Sequence, residues 1–71
     1  MEVTEGDIGL VLWELNVLGA ERAEIIASRL ADDLAPERTS EVLRDAERRG
    51  LARELAGAWS LTEAGQTYAD E

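Results

Sequence analysis

The sequence predicts a single, mainly α-helical domain with a small β-hairpin near its C-terminus. Two observations support this class. Apolar residues recur at helical spacing in three consecutive segments, and a pair of short extended runs separated by Ala56-Gly57 follows the third. The chain has 71 residues, enough for one small domain with a thin core, so residues 1–71 are expected to form one unit.

The first helix is predicted over residues 4–18. Thr4 can cap its N-terminus, and Gly19 can end it. One face of this helix repeats apolar residues at helical spacing and is expected to be buried: Ile8, Val11, Leu12, Leu15 and Leu18.

The second and third helices are predicted over 21–32 and from Pro36 to about Arg49. A short turn that contains Asp32-Asp33 joins them, as in a helix-turn-helix. Proline fits the first turn of a helix, where its missing N–H costs nothing. The expected buried residues are Ala23, Ile26, Ala27 and Leu30 on the second helix, and Thr39, Val42, Leu43 and Ala46 on the third. The expected exposed side of the third helix carries Glu37, Arg38, Ser40, Glu41, Arg44, Asp45 and Arg48.

The C-terminal third is predicted to contain the hairpin and one more helix. Leu51 to Leu55 and Trp59 to Leu61 form the two strands, with Ala56-Gly57 as the turn. Thr62 is expected to cap a short helix over residues 63–70. An isolated hairpin is only marginally stable, so this one must pack on the helices.

The residue types present exclude several functions. The chain contains no cysteine and no histidine, which excludes disulfides, thiolate metal sites and zinc fingers. Hydroxyl nucleophiles such as Ser28 and Tyr68 have no histidine or lysine to activate them, and no glycine-rich phosphate loop is present. We therefore expect a non-catalytic protein without a cofactor or metal.

Localisation is predicted from the absence of targeting signals. No stretch of about 18 apolar residues is present, so no membrane span is expected. The N-terminal sequence Met1 to Glu5 is acidic, which is not typical of a secretory or transit peptide. A cytoplasmic protein is the resulting expectation.

Three segments carry short motifs: Ile25 to Leu30, Leu43 to Leu51 and Trp59 to Gly65. The second follows the pattern leucine, two residues, leucine-glutamate, two residues, glycine-leucine, with Ala46 where a larger aliphatic residue is usual. The third follows the pattern aromatic-x-leucine-threonine-x-x-glycine. In this order the segments resemble the second helix, the signature and the end of the wing of winged helix-turn-helix regulators of the MarR and PadR type. Similar segments occur in small repressor-like proteins of haloarchaea.

This resemblance implies a helix-turn-helix over about residues 21–49, a wing over about 51–61, and binding of double-stranded DNA. Helix three would read the groove, and its implied contact residues, with one from the wing, are Arg38, Ser40, Glu41, Arg44, Arg48 and Arg53. Glu41 stands where a basic or neutral residue is usual. The wing tip Ala56-Gly57 has no positive charge, which argues against insertion into a minor groove.

The charge leaves two alternatives open. The formal net charge is −9, yet residues 37–54 hold five acids and five arginines and are neutral. A neutral segment permits DNA binding, but mixed charges on a helix often only decorate a solvated surface. A winged helix can also bind protein, and an acidic surface can mimic nucleic acid and bind a basic protein.

A second apolar stripe on the first helix, Leu10, Trp13 and Val17, lies nearly opposite the predicted buried face. A surface helix of a monomer needs only one such stripe. Either Trp59, Tyr68 or the last helix covers the second stripe, or the stripe is a homodimer interface. In the second case the interface residues are Leu10, Trp13, Val17 and Tyr68.

Overall fold

The structure, a computed structural model, describes residues 2–70. Within this range the chain is mainly helical, as predicted, with four helices and a small antiparallel sheet. The elements in chain order are α1 (Glu5–Leu18), β1 (Ala20–Arg22), α2 (Ala23–Leu30), α3 (Pro36–Arg48), β2 (Ala52–Leu55), β3 (Ala58–Leu61) and α4 (Glu63–Asp70).

Helix α1 begins with a capping box. The Thr4 hydroxyl accepts a hydrogen bond from the Asp7 N–H at 3.1 Å, and the Asp7 carboxylate accepts one from the Thr4 N–H at 3.2 Å. The helix ends at Gly19, whose φ of +86° lies in the left-handed region that glycine tolerates. The predicted cap and end of this helix are confirmed.

Residues 20–22 form a strand where the sequence predicted the start of a helix. The observed α2 therefore begins at Ala23 rather than residue 21, and it ends at Leu30 rather than residue 32. Strand β1 pairs antiparallel with β3, in the register Ala20–Ser60, Glu21–Trp59 and Arg22–Ala58. The pairing satisfies backbone groups along one edge of β3 that a two-stranded hairpin would leave to solvent. The sheet thus has three strands in the order β1-β3-β2.

The predicted hairpin is confirmed, with a two-residue turn. Leu55 pairs with Ala58, and the intervening Ala56 and Gly57 have φ values of +51° and +83°. Two positive φ angles are typical of the type I′ turn that suits the twist of a hairpin. Glycine adopts this conformation readily, whereas Ala56 does so at a steric cost.

The two faces of the sheet have different surroundings. Directly paired residues of antiparallel strands point to the same face, so the register assigns each side chain. The inner face packs on the helices, because Trp59 and Ala52 are buried; it carries Glu21, Ala52, Glu54, Trp59 and Leu61. The outer face carries Ala20, Arg22, Arg53, Leu55, Ala58 and Ser60.

The core is formed by α1, α2, α3, the connection between α2 and α3, and the inner face of the sheet. Its buried apolar residues are Ile8, Val11, Leu12, Leu15, Ile26, Leu30, Leu34, Val42, Leu43, Ala46, Ala52 and Trp59. The four predicted core residues of α3, Thr39 included, are all buried. Leu18, Ala23 and Ala27, also predicted as core residues, are half-buried.

Helix α4 is fixed to the start of β2. Thr62 caps the helix by accepting the Gly65 N–H at 3.0 Å, and its hydroxyl donates to the Gly50 carbonyl at 2.6 Å. A Cβ on Gly65 would lie only 1.8 Å from the carbonyl oxygen of Leu51. The threonine and the glycine of the last motif thus have a packing role. Among the described residues, no helix is both long enough and apolar enough to cross a bilayer.

Candidate nucleic-acid interface

The outer side of α3 is exposed and carries mixed charge. Thr39, Val42, Leu43 and Ala46 face the core, and the exposed residues of the helix include Glu37, Ser40, Glu41, Arg44, Glu47 and Arg48. Three Glu against two Arg give these six positions a net charge of −1. Residues 31–35 connect α2 to α3, with Pro36 in the first turn of α3.

Arg38 does not lie on this exposed side, contrary to the sequence prediction. Its guanidinium donates to Oδ2 of Asp7 from Nε at 3.0 Å and from Nη2 at 2.7 Å, and Nη2 also donates to the Glu2 carbonyl at 2.7 Å. The side chain is half-buried against the first turn of α1. Arg38 thus links α3 to α1. Its side chain is turned away from the exposed side of α3, where a ligand would bind.

Asp45 is also half-buried, where the sequence predicted an exposed residue. Its Oδ1 accepts a hydrogen bond from Arg48 at 3.0 Å, and its Oδ2 lies 2.9 Å from Arg49 Nε as an ion pair. Arg49 also reaches Glu5 in the first turn of α1, with Nη1 3.0 Å from Oε1. Arg48 and Arg49 therefore have carboxylate partners within the chain.

Two carboxylates in the first turn of α1, Glu5 and Asp7, bind arginines on the side of α3 that faces α1. The pKa values of both carboxyls are lowered. Hydrogen bonds from Tyr68 and then Arg49 lower the pKa of the Glu5 carboxyl. Hydrogen bonds from Arg38 and then the Thr4 N–H lower the pKa of Asp7. Both groups are held ionised, next to the positive end of the helix dipole.

Arg44 and Arg53 are the candidate contact arginines that lack such partners. Within residues 2–70 neither guanidinium forms an ion pair. Arg48 keeps a largely exposed side chain, 65% accessible, although it bonds to Asp45. These three side chains remain available to an external anion.

A small cleft of about 80 Å³ separates α3 from the hairpin. It is lined by Ala23, Ser40, Leu43, Arg44, Glu54 and Trp59. Ser40 and Arg44 are thus brought together, as the sequence predicted for the contact face of α3. Glu54 was not predicted there; strand alternation with Arg53 is the signal that could have assigned it to the inner face.

The predicted contact residues do not form one continuous surface. Ser40, Glu41, Arg44 and Arg48 belong to the exposed side of α3, whereas Arg53 lies on the outer face of the sheet. Sequence reasoning missed Arg22, which lies on the same outer face. Its Nη1 is 3.9 Å from the position that a Cβ on Gly57 would occupy, at the tip of the hairpin.

The second stripe of α1 stays largely open. Trp13 is 57% exposed and Val17 is 56% exposed, while Leu10 is half-buried against the core. Trp59 is buried in the core, and Tyr68 donates a hydrogen bond to Glu5 at 2.5 Å. The alternative in which Trp59, Tyr68 or α4 covers the stripe is therefore wrong for Trp13 and Val17.

No protein-family model matches this chain, and no curated protein or solved structure gives a significant match. Within residues 2–70, no group of three acidic side chains converges in a way that could hold a metal ion.

Proposed function

We propose that the chain is a cytoplasmic winged helix-turn-helix domain that binds double-stranded DNA and regulates transcription without catalysis. The observation that carries the proposal is the order of elements around α3. A short connection leads from α2 into α3, an antiparallel hairpin follows, and the outer side of α3 stays uncovered within residues 2–70. An α-helix with one free side fits the major groove.

Each available side chain would have a defined part in this contact. Arg44 would reach a guanine edge or a phosphate, and Ser40 beside it would hydrogen bond to a phosphate. Arg48 would hold the backbone. Glu41 would accept a hydrogen bond from a cytosine amino group, which is the base contact that suits a carboxylate.

The ion pairs limit the strength of this binding. Three of the five arginines in residues 37–54, Arg38, Arg48 and Arg49, have carboxylate partners in the chain. If Arg44, Arg48 and Arg53 make the phosphate contacts, log K should fall with log salt with a slope of about −3. Binding is expected to be weak at physiological salt and measurable at low salt.

The test is fluorescence anisotropy of a labelled duplex in low salt, with a selection from random duplexes to find a preferred sequence. Arg44→Ala should weaken binding about tenfold, equivalent to roughly 1.4 kcal/mol. Arg38→Ala is the matched control, because the same truncation removes the same charge from a side chain turned toward α1. Circular dichroism verifies that both variants are folded. Absence of binding at the lowest salt would exclude the proposal.

A second candidate is a protein-binding winged helix. It is favoured by the acidic residues around the cleft, where Glu54 faces α3 and three Glu occupy the exposed side of that helix. Such a surface fits a basic protein and could mimic nucleic acid. Stoichiometric recovery of one basic protein on the immobilised domain, lost in Glu54→Gln and without retained DNA, would support this candidate over the first.

We further propose that two copies associate through the exposed side of α1. This side carries Gly6, Gly9, Leu10, Trp13 and Val17 and no charged residue, so these positions add no repulsion between copies although each chain carries −9. A Cβ on Gly9 would meet nothing within 4 Å inside the chain. A helical glycine costs about 1 kcal/mol relative to alanine, and no contact inside the chain requires the missing Cβ. A second helix could approach the backbone closely at this position.

A twofold dimer would have a consequence for DNA binding. Two α3 helices related by the dimer axis would present the same residues to two half-sites of a palindrome. Once one domain of the dimer is bound, the second would bind its half-site at a high effective concentration. This effect would raise the affinity of a domain with few phosphate contacts.

A further inference from the structure

The outer face of the sheet differs in charge from the rest of the molecule. It carries Arg22 and Arg53 and no acidic residue, a local charge of +2 in a chain whose net charge is −9. The acids of the same strands, Glu21 and Glu54, alternate to the inner face. Strand alternation thus separates the charges of β1 and β2 and creates a small cationic surface.

The register explains why Arg22 reaches the hairpin tip. Arg22, the last residue of β1, pairs directly with Ala58, the first residue of β3 after the turn. The end of β1 therefore lies beside the turn. The side chain of Ala58 is small, and a long arginine beside it can extend toward Gly57. Nη1 lies 3.9 Å from the position that a Cβ on Gly57 would occupy, which places the charge at the turn.

Neither arginine of this face is neutralised. Within the described part of the chain, the guanidinium groups of Arg22 and Arg53 form no ion pair and no hydrogen bond. The nearest acid in sequence, Glu21, accepts a hydrogen bond from the backbone N–H of Arg22 at 3.0 Å. Arg22 and Arg53 lie on the two strands that flank β3, and they pair with Ala58 and Ser60, two residues apart. Their backbones are therefore about 12 Å apart on a diagonal across the sheet.

This pair fits a polyanion backbone. A guanidinium donates two parallel hydrogen bonds to one phosphate, and two of them across a floor of small residues can hold two phosphates of a duplex. The floor between the two arginines is formed by Ala20, Ala58 and Ser60, and Leu55 borders it opposite Arg22. The hairpin turn Ala56-Gly57 has no charged side chain, and Arg22 of β1 places a guanidinium beside it.

We infer that Arg22 supplies the cation of the hairpin tip and that the outer face of the sheet, through Arg22 and Arg53, contacts backbone phosphates of the duplex. This inference rests on the proposed DNA-binding function and identifies a contact residue outside the helix-turn-helix. The contact is with phosphates, so it should contribute affinity with little dependence on base sequence.

The experiment is a salt titration of duplex binding by anisotropy, with the wild type, Arg22→Gln, Arg22→Lys and Arg53→Gln. Loss of one phosphate contact should reduce the magnitude of the log–log salt slope by about 0.9 in Arg22→Gln and in Arg53→Gln. Arg22→Gln should weaken binding about fivefold on unrelated sequences alike, whereas Arg22→Lys should keep the wild-type slope. Circular dichroism of each variant verifies that it is folded.

Arg49→Gln is the matched control. It removes the same charge from the end of α3 that faces α1. Both carboxylates that bind Arg49 retain another hydrogen-bond donor in this variant, Tyr68 for Glu5 and Arg48 for Asp45. If Arg22→Gln binds with the wild-type slope, or if Arg49→Gln loses as much as Arg22→Gln, the inference is wrong and the DNA-binding proposal stands. If the wild type does not bind at the lowest salt, both are wrong.

Discussion

One carboxylate oxygen of Asp7 accepts both hydrogen bonds that the guanidinium of Arg38 donates across the interface between α1 and α3. The same oxygen accepts the N–H of Thr4 in the capping box. The Asp7 side chain therefore completes the cap that the Thr4 hydroxyl begins and also ties the first turn of α1 to α3. This arrangement removes Arg38 from the exposed side of α3 and leaves Arg44 as the central cation there.

The double use of Asp7 predicts the order of two substitutions. Thr4→Ala loses the capping hydroxyl and should lower the free energy of unfolding by about 1 kcal/mol. Asp7→Ala loses the return bond of the cap and the tie to Arg38, so it should be more destabilising than Thr4→Ala. Urea denaturation measures both, with Glu41→Ala, an exposed carboxylate on α3, as the control with little effect. An equal loss in the two variants would contradict the role of Arg38.

Acid should destabilise the protein through Glu5 and Asp7. Their pKa values are lowered in the folded state by Tyr68, Arg49 and Arg38, so the folded state holds fewer protons than the unfolded state at acidic pH. The stabilisation is complete above the ordinary carboxyl range, about pH 4, and is lost as the pH falls through the lowered values. The urea midpoint measured from pH 7 to pH 2.5 should decrease in that lower window.

The control for this pH dependence is the double variant Glu5→Gln, Asp7→Asn. It should start less stable at pH 7 and lose less on acidification, since both titrating groups are gone. A loss as steep as that of the wild type would mean that other carboxyls cause the acid sensitivity.

Two helical glycines should respond in opposite ways to alanine. A Cβ on Gly65 would lie 1.8 Å from the Leu51 carbonyl oxygen, so Gly65→Ala must shift α4 or the backbone of Leu51, which precedes β2. We expect a loss of about 3 kcal/mol in the free energy of unfolding. Gly9→Ala meets open space and should gain about 1 kcal/mol in the monomer. Thermal unfolding of the two variants, at a concentration where the wild type is monomeric, would show whether the tight contact at Leu51 exists.

Association through α1 should depend on Trp13. Trp13→Ala should weaken the dimer at least tenfold in sedimentation equilibrium, because central aromatic residues dominate most interfaces. Leu55→Ala is the matched control: Leu55 is 60% exposed, as open as Trp13, but lies on the outer face of the sheet. A wild type that stays monomeric at millimolar concentration, or an equal effect of the two variants, would exclude the α1 interface.

Local signals were sufficient to predict all four helices, although not the ends of α2, and the hairpin. Thr4, Pro36 and Thr62 act within one turn of their own helices, and Ala56-Gly57 determines a turn between adjacent strands, so short sequence windows contain the information. Strand β1 has only three residues and exists through pairing with β3 almost forty residues later. No window around residue 21 contains that partner.

The candidate contact face was predictable only in part, for a similar reason. Helical periodicity correctly separates the buried side of α3 from its exposed centre, which holds Arg44. Periodicity does not reveal which neighbours pack beside the edges of this face. It therefore predicts that Arg38 and Asp45 are exposed, whereas Arg38 pairs with Asp7 of α1 and Asp45 pairs with the arginines at the end of α3. Arg22 was missed because its position depends on the unpredicted strand.

The two tryptophans differ in exposure, so their intrinsic fluorescence reports on different parts of the molecule. Trp59 is buried in the core and Trp13 is largely in water, so their emission should differ in wavelength and in sensitivity to acrylamide. Unfolding would shift the blue component from Trp59, while self-association would shield the red component from Trp13. Intrinsic fluorescence, with no attached dye, can therefore follow folding and assembly as separate signals in one sample.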